Sequence, residues 1–489
     1  MNANQLLTAP LWDGSSLGKA LPDSPHAVSV SLPRWQDVIG YEEKKPEVVE
    51  KMTLGYPRFV IHPLVRELAK RIGQGQTCLP FPSLAVAKIG ATYVRHAART
   101  TANIALGNGV FGVITNETGA QALKEFWQHA GLIVSSRRAD AALNGRRESV
   151  AEATEARSEL TTRLAELYDC APDDVLLMPS GMAAQFAAFR IVTDRRPDRR
   201  TVQLGFPYVD TLKIQQKFGG GAELITDLDG CEARLAQLFA DEQFAGVFAE
   251  FPGNPLLGCA DLQRLTPLFR QHGVPLIADD VIGTPWNLDL APHADLIATS
   301  LTKYIVGTCD AMGGALICNP RSPYHAELKA AARAQHEELL WGEDAAVLAV
   351  QSRTFVERMK SHNTNGLFIA EKLRAHPGVE RVWYPKWENA AAYESLRRAN
   401  GGYGALLSFL PRNAATSAPR VFDAMQICKG PSLGTVFSLA CPFTLLAHYT
   451  ELDWAESCGV PRHLIRLSVG LEEPNELWRR LEAALNAGT

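Results

Sequence analysis

The sequence predicts an α/β fold: a mostly parallel sheet covered on both faces by helices, then a smaller C-terminal α+β domain, with an irregular N-terminal extension in front. Three observations carry this expectation. The 489 residues exceed what one hydrophobic core usually organises, so two or three domains are expected. From about residue 150, short apolar runs alternate with polar helical stretches, as βα repeats do. Past Pro320 the pattern changes to one long helical stretch followed by separate strand-like pieces.

Taken in order, residues 1–135 form the extension, in which Asn116 to Ala130 places Leu123 and Trp127 one helical turn apart. Residues 136–320 form the large domain. There Leu160, Leu164 and Leu167 mark one helix face, and Val175 to Met178 make an apolar run that ends at Pro179-Ser180-Gly181. Further runs, Ala245 to Phe251, Leu276 to Ala278 and Leu296 to Ala298, read as buried parallel strands. Sheets of this kind hold ligands at the carboxyl ends of their strands, so the loops after these runs are where chemistry is expected. Residues 321–489 form the small domain, with strands expected at Val379 to Tyr384 and Ala405 to Phe409.

Composition narrows the function class. With 46% hydrophobic and 21% charged residues the chain is an ordinary globular protein. A formal net charge of -4 without a long basic block argues against nucleic acid or an anionic membrane as partner and favours small molecules. Nine cysteines without a CxxC pair or Cys/His ligand spacing read as reduced thiols. The N-terminus lacks the basic start and apolar stretch of a signal peptide, and no run of about eighteen apolar residues follows, so a cytoplasmic protein is expected. Two other readings are set aside. Gly107 to Gly112 spells the GxGxxG dinucleotide pattern but no clear βαβ unit follows, and Asp279-Asp280 with the distant His293 is a poor metal set, so no metal is expected.

The chemistry-bearing residues fall where the fold would put a ligand. Asp279 follows the run ending at Ala278, and Lys303 lies twenty-four residues on (303 − 279) in Ser300-Leu301-Thr302-Lys303-Tyr304. Ser180-Gly181-Met182 stands between a strand and a helix start, where backbone N–H groups can hold a phosphate, and Ser300 and Thr302 offer hydroxyls. A phosphate cradle, a carboxylate and a lysine, met in this order along the chain, are what pyridoxal 5′-phosphate (PLP) requires.

These stretches resemble the cystathionine γ-synthase family of PLP enzymes, the transsulfuration group of fold type I. The match includes Ser180-Gly181-Met182-Ala183-Ala184, Glu250-Phe251-Pro252-Gly253-Asn254-Pro255, Asp279-Asp280-Val281, and the lysine motif followed by Gly307, Asp310 and Gly313-Gly314. It continues through KGPSLGTVFSL and IRLSVGLEE. PHAVSVSLPRWQDVIGYEE, LKEFWQHAG and AHYTELDW look like the longer, fungal-type cystathionine γ-synthases.

The resemblance implies a fold type I PLP-dependent transferase with a seven-stranded-type sheet. By it Lys303 carries the cofactor and moves protons, Asp279 pairs with the pyridine nitrogen, and Asn254 meets the ring hydroxyl. Ser180, Gly181, Met182, Ser300 and Thr302 hold the phosphate, Tyr208 stacks on the ring and can exchange a proton, and Ser432 and Arg466 hold the substrate carboxylate. An arginine reaching the neighbouring subunit's phosphate is assigned to Arg137, 43 residues before Ser180 (180 − 137), over Arg58 of Tyr56-Pro57-Arg58, 122 residues before it (180 − 58). Phe437 stands where relatives often carry a glutamate. The activity implied is γ-replacement on an O-activated homoserine with cysteine, in a homodimer or homotetramer. Alternatives are another nucleophile, a γ-lyase, or a non-catalytic relative.

Overall fold

In the computed structural model, which describes residues 2–488, the strands form four sheets. β1 (Ala20–Leu21) and β2 (Ser29–Val30) pair in the extension. β3 (Thr77–Phe81), β4 (Ala102–Gly107) and β5 (Val110–Thr115) form an antiparallel sheet with β5 in the middle. The GxGxxG pattern lies on this sheet's β4–β5 hairpin, where Asn108 and Gly109 have φ of 44° and 81°. Positive φ at both turn residues is what a type I′ two-residue hairpin requires, so Asn108-Gly109 serves a turn between antiparallel strands.

The large sheet is built from β6 (Val175–Met178), β7 (Thr201–Leu204), β8 (Ala222–Ile225), β9 (Val247–Glu250), β10 (Leu276–Asp279), β11 (Leu296–Ser300) and β12 (Gly314–Cys318). Their order is β6-β12-β11-β10-β9-β7-β8, and β12 alone runs antiparallel to its neighbours. Every residue of β6, β7, β9, β11 and β12 is buried, as continuous apolar runs covered on both faces demand. β7 escapes a periodicity reading because Thr201 and Gln203 sit in it. The Thr201 hydroxyl donates to Gln215 Oε1 at 2.7 Å and Gln215 Nε2 donates to Gln203 Oε1 at 2.8 Å. A buried polar pair satisfied by the next helix costs the strand little.

The third large element is the five-stranded sheet of β13 (Val379–Trp383), β14 (Leu406–Pro411), β15 (Cys428–Lys429), β16 (Leu439–Pro442) and β17 (Ile465–Ser468), ordered β13-β14-β17-β16-β15. The extension is anchored to it. Lys429, fully buried, donates through Nζ to the carbonyls of Pro33 and Asp423, each at 2.9 Å, and of Trp12 at 3.2 Å. Through this amine the N-terminal segment and the C-terminal sheet share one set of hydrogen bonds.

Candidate active site

The carboxyl ends of β6, β9, β10 and β11 open toward a cavity of about 420 Å³. The helix Gly181–Arg195 starts directly after β6, and its N-terminus lies against the end of β11: a Cβ placed on Gly181 would fall 2.6 Å from Ser300 Cβ. Only glycine permits so close an approach, and it leaves Gly181, Met182 and Ser300 together on the cavity wall. Unpaired N–H groups at a helix start, beside a hydroxyl, make an anion cradle.

Around this cradle, Lys303 Nζ donates to Ser432 Oγ at 3.1 Å and lies 4.6 Å from the centre of the Tyr56 ring. Arg466 donates to Asn254 Oδ1 at 3.2 Å and to the Ser432 carbonyl at 2.8 Å, with its guanidinium 5.1 Å from the Phe443 ring. Tyr208 accepts a hydrogen bond on its hydroxyl from Arg58, whose guanidinium also pairs with buried Asp210 and donates to the Gln128 carbonyl at 2.7 Å. Asp210 is further held by His129 at 2.8 Å and Gln128 at 3.1 Å.

Asp279 lies at the end of β10. It accepts from Val281 N at 2.9 Å and Gln185 Nε2 at 2.8 Å, yet burial outweighs both and pushes its carboxyl up to about 6. Among the described residues no cation pairs with it. Nearby Glu250 is pushed up to about 8, first by burial and then by the Asp279 charge, although it accepts from the backbone N–H groups of Tyr208 and, at 3.0 Å, of Asn254. A protonated pyridine nitrogen would return to Asp279 the charge stabilisation that burial removes. The buried acid without a cation, the lysine and the anion cradle together fit PLP.

The cavity thus brings together Gly181, Met182, Tyr208, Asn254, Asp279, Ser300, Lys303, Ser432 and Arg466. Three other expected residues lie elsewhere. The Ser180 hydroxyl caps its helix, accepting from Ala183 N at 3.1 Å and donating to the Gly131 carbonyl at 2.8 Å, so it shapes the cradle without lining it. Thr302 Oγ1 accepts from Gly313 N at 3.1 Å, which occupies it in the turn before β12. Arg137 is held within its own chain by Asp344 at 3.1 Å and the Asp310 carbonyl at 2.8 Å and does not line the cavity, whereas Arg58 does. Arg58 reaches this cavity across 122 residues because the chain between 58 and 180 folds back through a separate sheet. Phe437 is fully buried and does not line the cavity. Sequence reasoning also missed Gln185, one helical turn past Gly181, which only an i, i+4 reading of that helix face would have flagged.

The model of the Cys/Met metabolism PLP-dependent enzyme family matches residues 150–486, and that of the fungal trans-sulfuration enzyme N-terminal domain matches residues 60–135. The chain belongs to the Cys/Met metabolism PLP-dependent enzymes. It is 33% identical to a cystathionine γ-synthase of Neurospora crassa, over 94% of this chain and 96% of that protein. It is 32% identical to an L-2-amino-4-chloropent-4-enoate dechlorinase/desaturase of Streptantibioticus cattleyicolor, over 93% and 95%. Among solved structures, a cystathionine γ-synthase of Xanthomonas oryzae pv. oryzae in complex with aminoacrylate and cysteine superposes with a TM-score of 0.60 at 27% identity, over 69% of this chain and 87% of that one. As a member of this family the protein is an enzyme and PLP is its cofactor, and its relatives include cystathionine γ-synthases.

Proposed function

We propose that this family member joins an O-activated homoserine, an acetyl, succinyl or phosphoryl ester, to cysteine, giving cystathionine and the released acid. The observation that carries the reading is one cavity holding the Lys303 amine, the buried acid Asp279 and the buried Arg466, in a chain so similar to the Neurospora crassa cystathionine γ-synthase.

Bound PLP supplies an electron sink for bonds at the α and β carbons of the substrate. Asp279 would keep the ring nitrogen protonated, Asn254 would meet the ring hydroxyl, and Gly181, Met182 and Ser300 would hold the phosphate, with Ser180 and Thr302 fixing the backbone of the cradle. Arg466 takes the substrate carboxylate in a bidentate pair, its plane set by Asn254 and the Ser432 carbonyl. Lys303 removes the α-proton and returns protons along the chain, with Ser432 orienting its amine. Tyr208, accepting from Arg58, keeps its own hydrogen available for exchange with the substrate. Arg58, held by Asp210 and the Gln128 carbonyl, orients the Tyr208 hydroxyl in the same cavity.

We further take the protein as a cytoplasmic homodimer or homotetramer acting on small amino acids; no helix among the described residues is long and apolar enough to cross a membrane. A second reading, elimination or use of another nucleophile, draws on the similarity to the dechlorinase/desaturase. The test offers the holoenzyme O-acetyl-, O-succinyl- and O-phosphohomoserine, each with cysteine, sulfide or no thiol, and follows products by mass spectrometry. Cystathionine formed with cysteine supports the proposal, and ketobutyrate formed regardless of thiol replaces it with the second reading.

A further inference from the structure

The outer part of the cavity is built by the N-terminal extension. The helix Trp35–Glu42 ends there, and Tyr41, Glu42 and Lys44 line the cavity with Leu446 and Ala447 of the segment after β16. Packing fixes this turn. The neighbouring Glu43 pairs with Lys45 at 2.7 Å and accepts from the Tyr449 hydroxyl at 2.5 Å, and Lys44 adopts φ of 59°, which turns its side chain back so that Nζ donates to the Tyr41 carbonyl at 3.1 Å.

Glu42 differs from its neighbour. Its carboxylate is half-buried, and among the described residues it has neither a hydrogen bond nor an ion pair. Burial pushes it up to about 7, with the Lys44 charge opposing. Glu42 and Lys44 are therefore opposite charges two residues apart on one cavity wall that do not pair with each other. A desolvated, unpartnered carboxylate costs the folded state free energy that a docked cation would recover.

We infer that the Glu42–Lys44 turn binds the zwitterionic head of the incoming nucleophile, a thiol-bearing α-amino acid, with its ammonium on Glu42 and its carboxylate on Lys44. The inference rests on the γ-replacement reading. Arg466 serves the first substrate's carboxylate, so a second amino acid in the same cavity needs its own acid and base, and this turn supplies both. Sulfide or a simple alkanethiol would need neither. Leu446 and Ala447 add apolar side chains to the same cavity lining.

The test compares Glu42→Gln and Lys44→Gln with the parent holoenzyme, using the preferred homoserine ester and four nucleophiles: cysteine, cysteamine, 3-mercaptopropionate and sulfide. Charged hydrogen bonds of this kind are worth about tenfold or more in affinity. For Glu42→Gln the ratio of kcat/KM for cysteine to that for sulfide should fall about tenfold, carried by KM, with cysteamine following cysteine and 3-mercaptopropionate following sulfide. For Lys44→Gln, 3-mercaptopropionate should follow cysteine. Visible absorbance of bound PLP and the melting temperature check that the isosteric Glu42→Gln protein folds. If the parent uses cysteine but these ratios stay within about twofold of it, the inference is wrong while the γ-replacement reading stands. If the parent accepts no thiol at all, both fall.

Discussion

The inner end of the cavity is made from strand ends, the outer end from turns. Asp279, Glu250 and Ser300 each terminate a strand of the large sheet, and Lys303 follows three residues after the last of these. Such positions are held by ladder hydrogen bonds on both sides and cannot shift without breaking the sheet. Tyr41, Glu42, Lys44, Tyr56 and Arg58 reach the same cavity from an extension tied down by Lys429, Asp210 and Tyr449. The rigid end suits bonds that must be made and broken in fixed geometry, and the outer end suits selection among partners. Substitutions at the two ends should therefore fail in different ways.

The largest effect belongs to the inner end. Lys303→Ala should abolish the visible band of lysine-bound PLP and lower turnover on the order of 10³-fold or more, the scale of a lost acid–base group. A retained band with near-normal turnover would remove Lys303 from the centre of the site.

The next comparison separates two buried arginines. Arg58→Lys keeps a charge beside Asp210 but loses the fork that also reaches Tyr208, and should weaken PLP affinity about tenfold in an absorbance titration. Arg137→Lys should leave PLP affinity unchanged and cost about 1–3 kcal/mol in urea unfolding, because Asp344 and the Asp310 carbonyl lose part of their partner. The reverse pattern would restore Arg137 as the phosphate-reaching residue.

A smaller effect tests the strain built into the inner end. Asp279 is raised to about 6 by burial, above the ordinary carboxyl value of 3.8, so between these values the folded protein holds more protons than the unfolded chain and its stability falls as pH rises. Above about 6 the full cost of the buried charge is present. Apoprotein with Asp279→Asn should therefore melt higher than the parent at about pH 7, by on the order of 1–3 kcal/mol, with the gap closing as pH falls toward about 4. Loading the parent with PLP should narrow the gap as well. No gap at neutral pH would mean that Asp279 already has a partner for its charge.

Much of this architecture is legible in one dimension. β6, β9, β10 and β11 coincide with apolar runs that hydrophobicity alone marks as strands, and each is followed by the residue that chemistry requires at a strand end. β7 and β12 are harder. The first carries polar residues whose partner, Gln215, lies on a helix, and the second starts at Gly314, close behind the lysine stretch. The cavity's chemical core, Lys303, Asp279, Asn254, Tyr208, Ser432 and Arg466, is likewise accessible from motif order.

What the sequence by itself determined is the set of residues whose chemistry and local position coincide: a lysine three residues after a strand, an acid at a strand end, a glycine opening a helix. Local hydrogen bonding places these, so their spacing carries the information. Only the tertiary structure decided that Arg58 and not Arg137 lines this cavity, that the Ser180 and Thr302 hydroxyls are spent on the Gly131 and Gly313 backbone, and that Glu42 and Lys44 face the same space as Lys303. Each of these depends on which distant segment packs beside it. Burial and pairing are set by that neighbour, and one-dimensional spacing does not encode it.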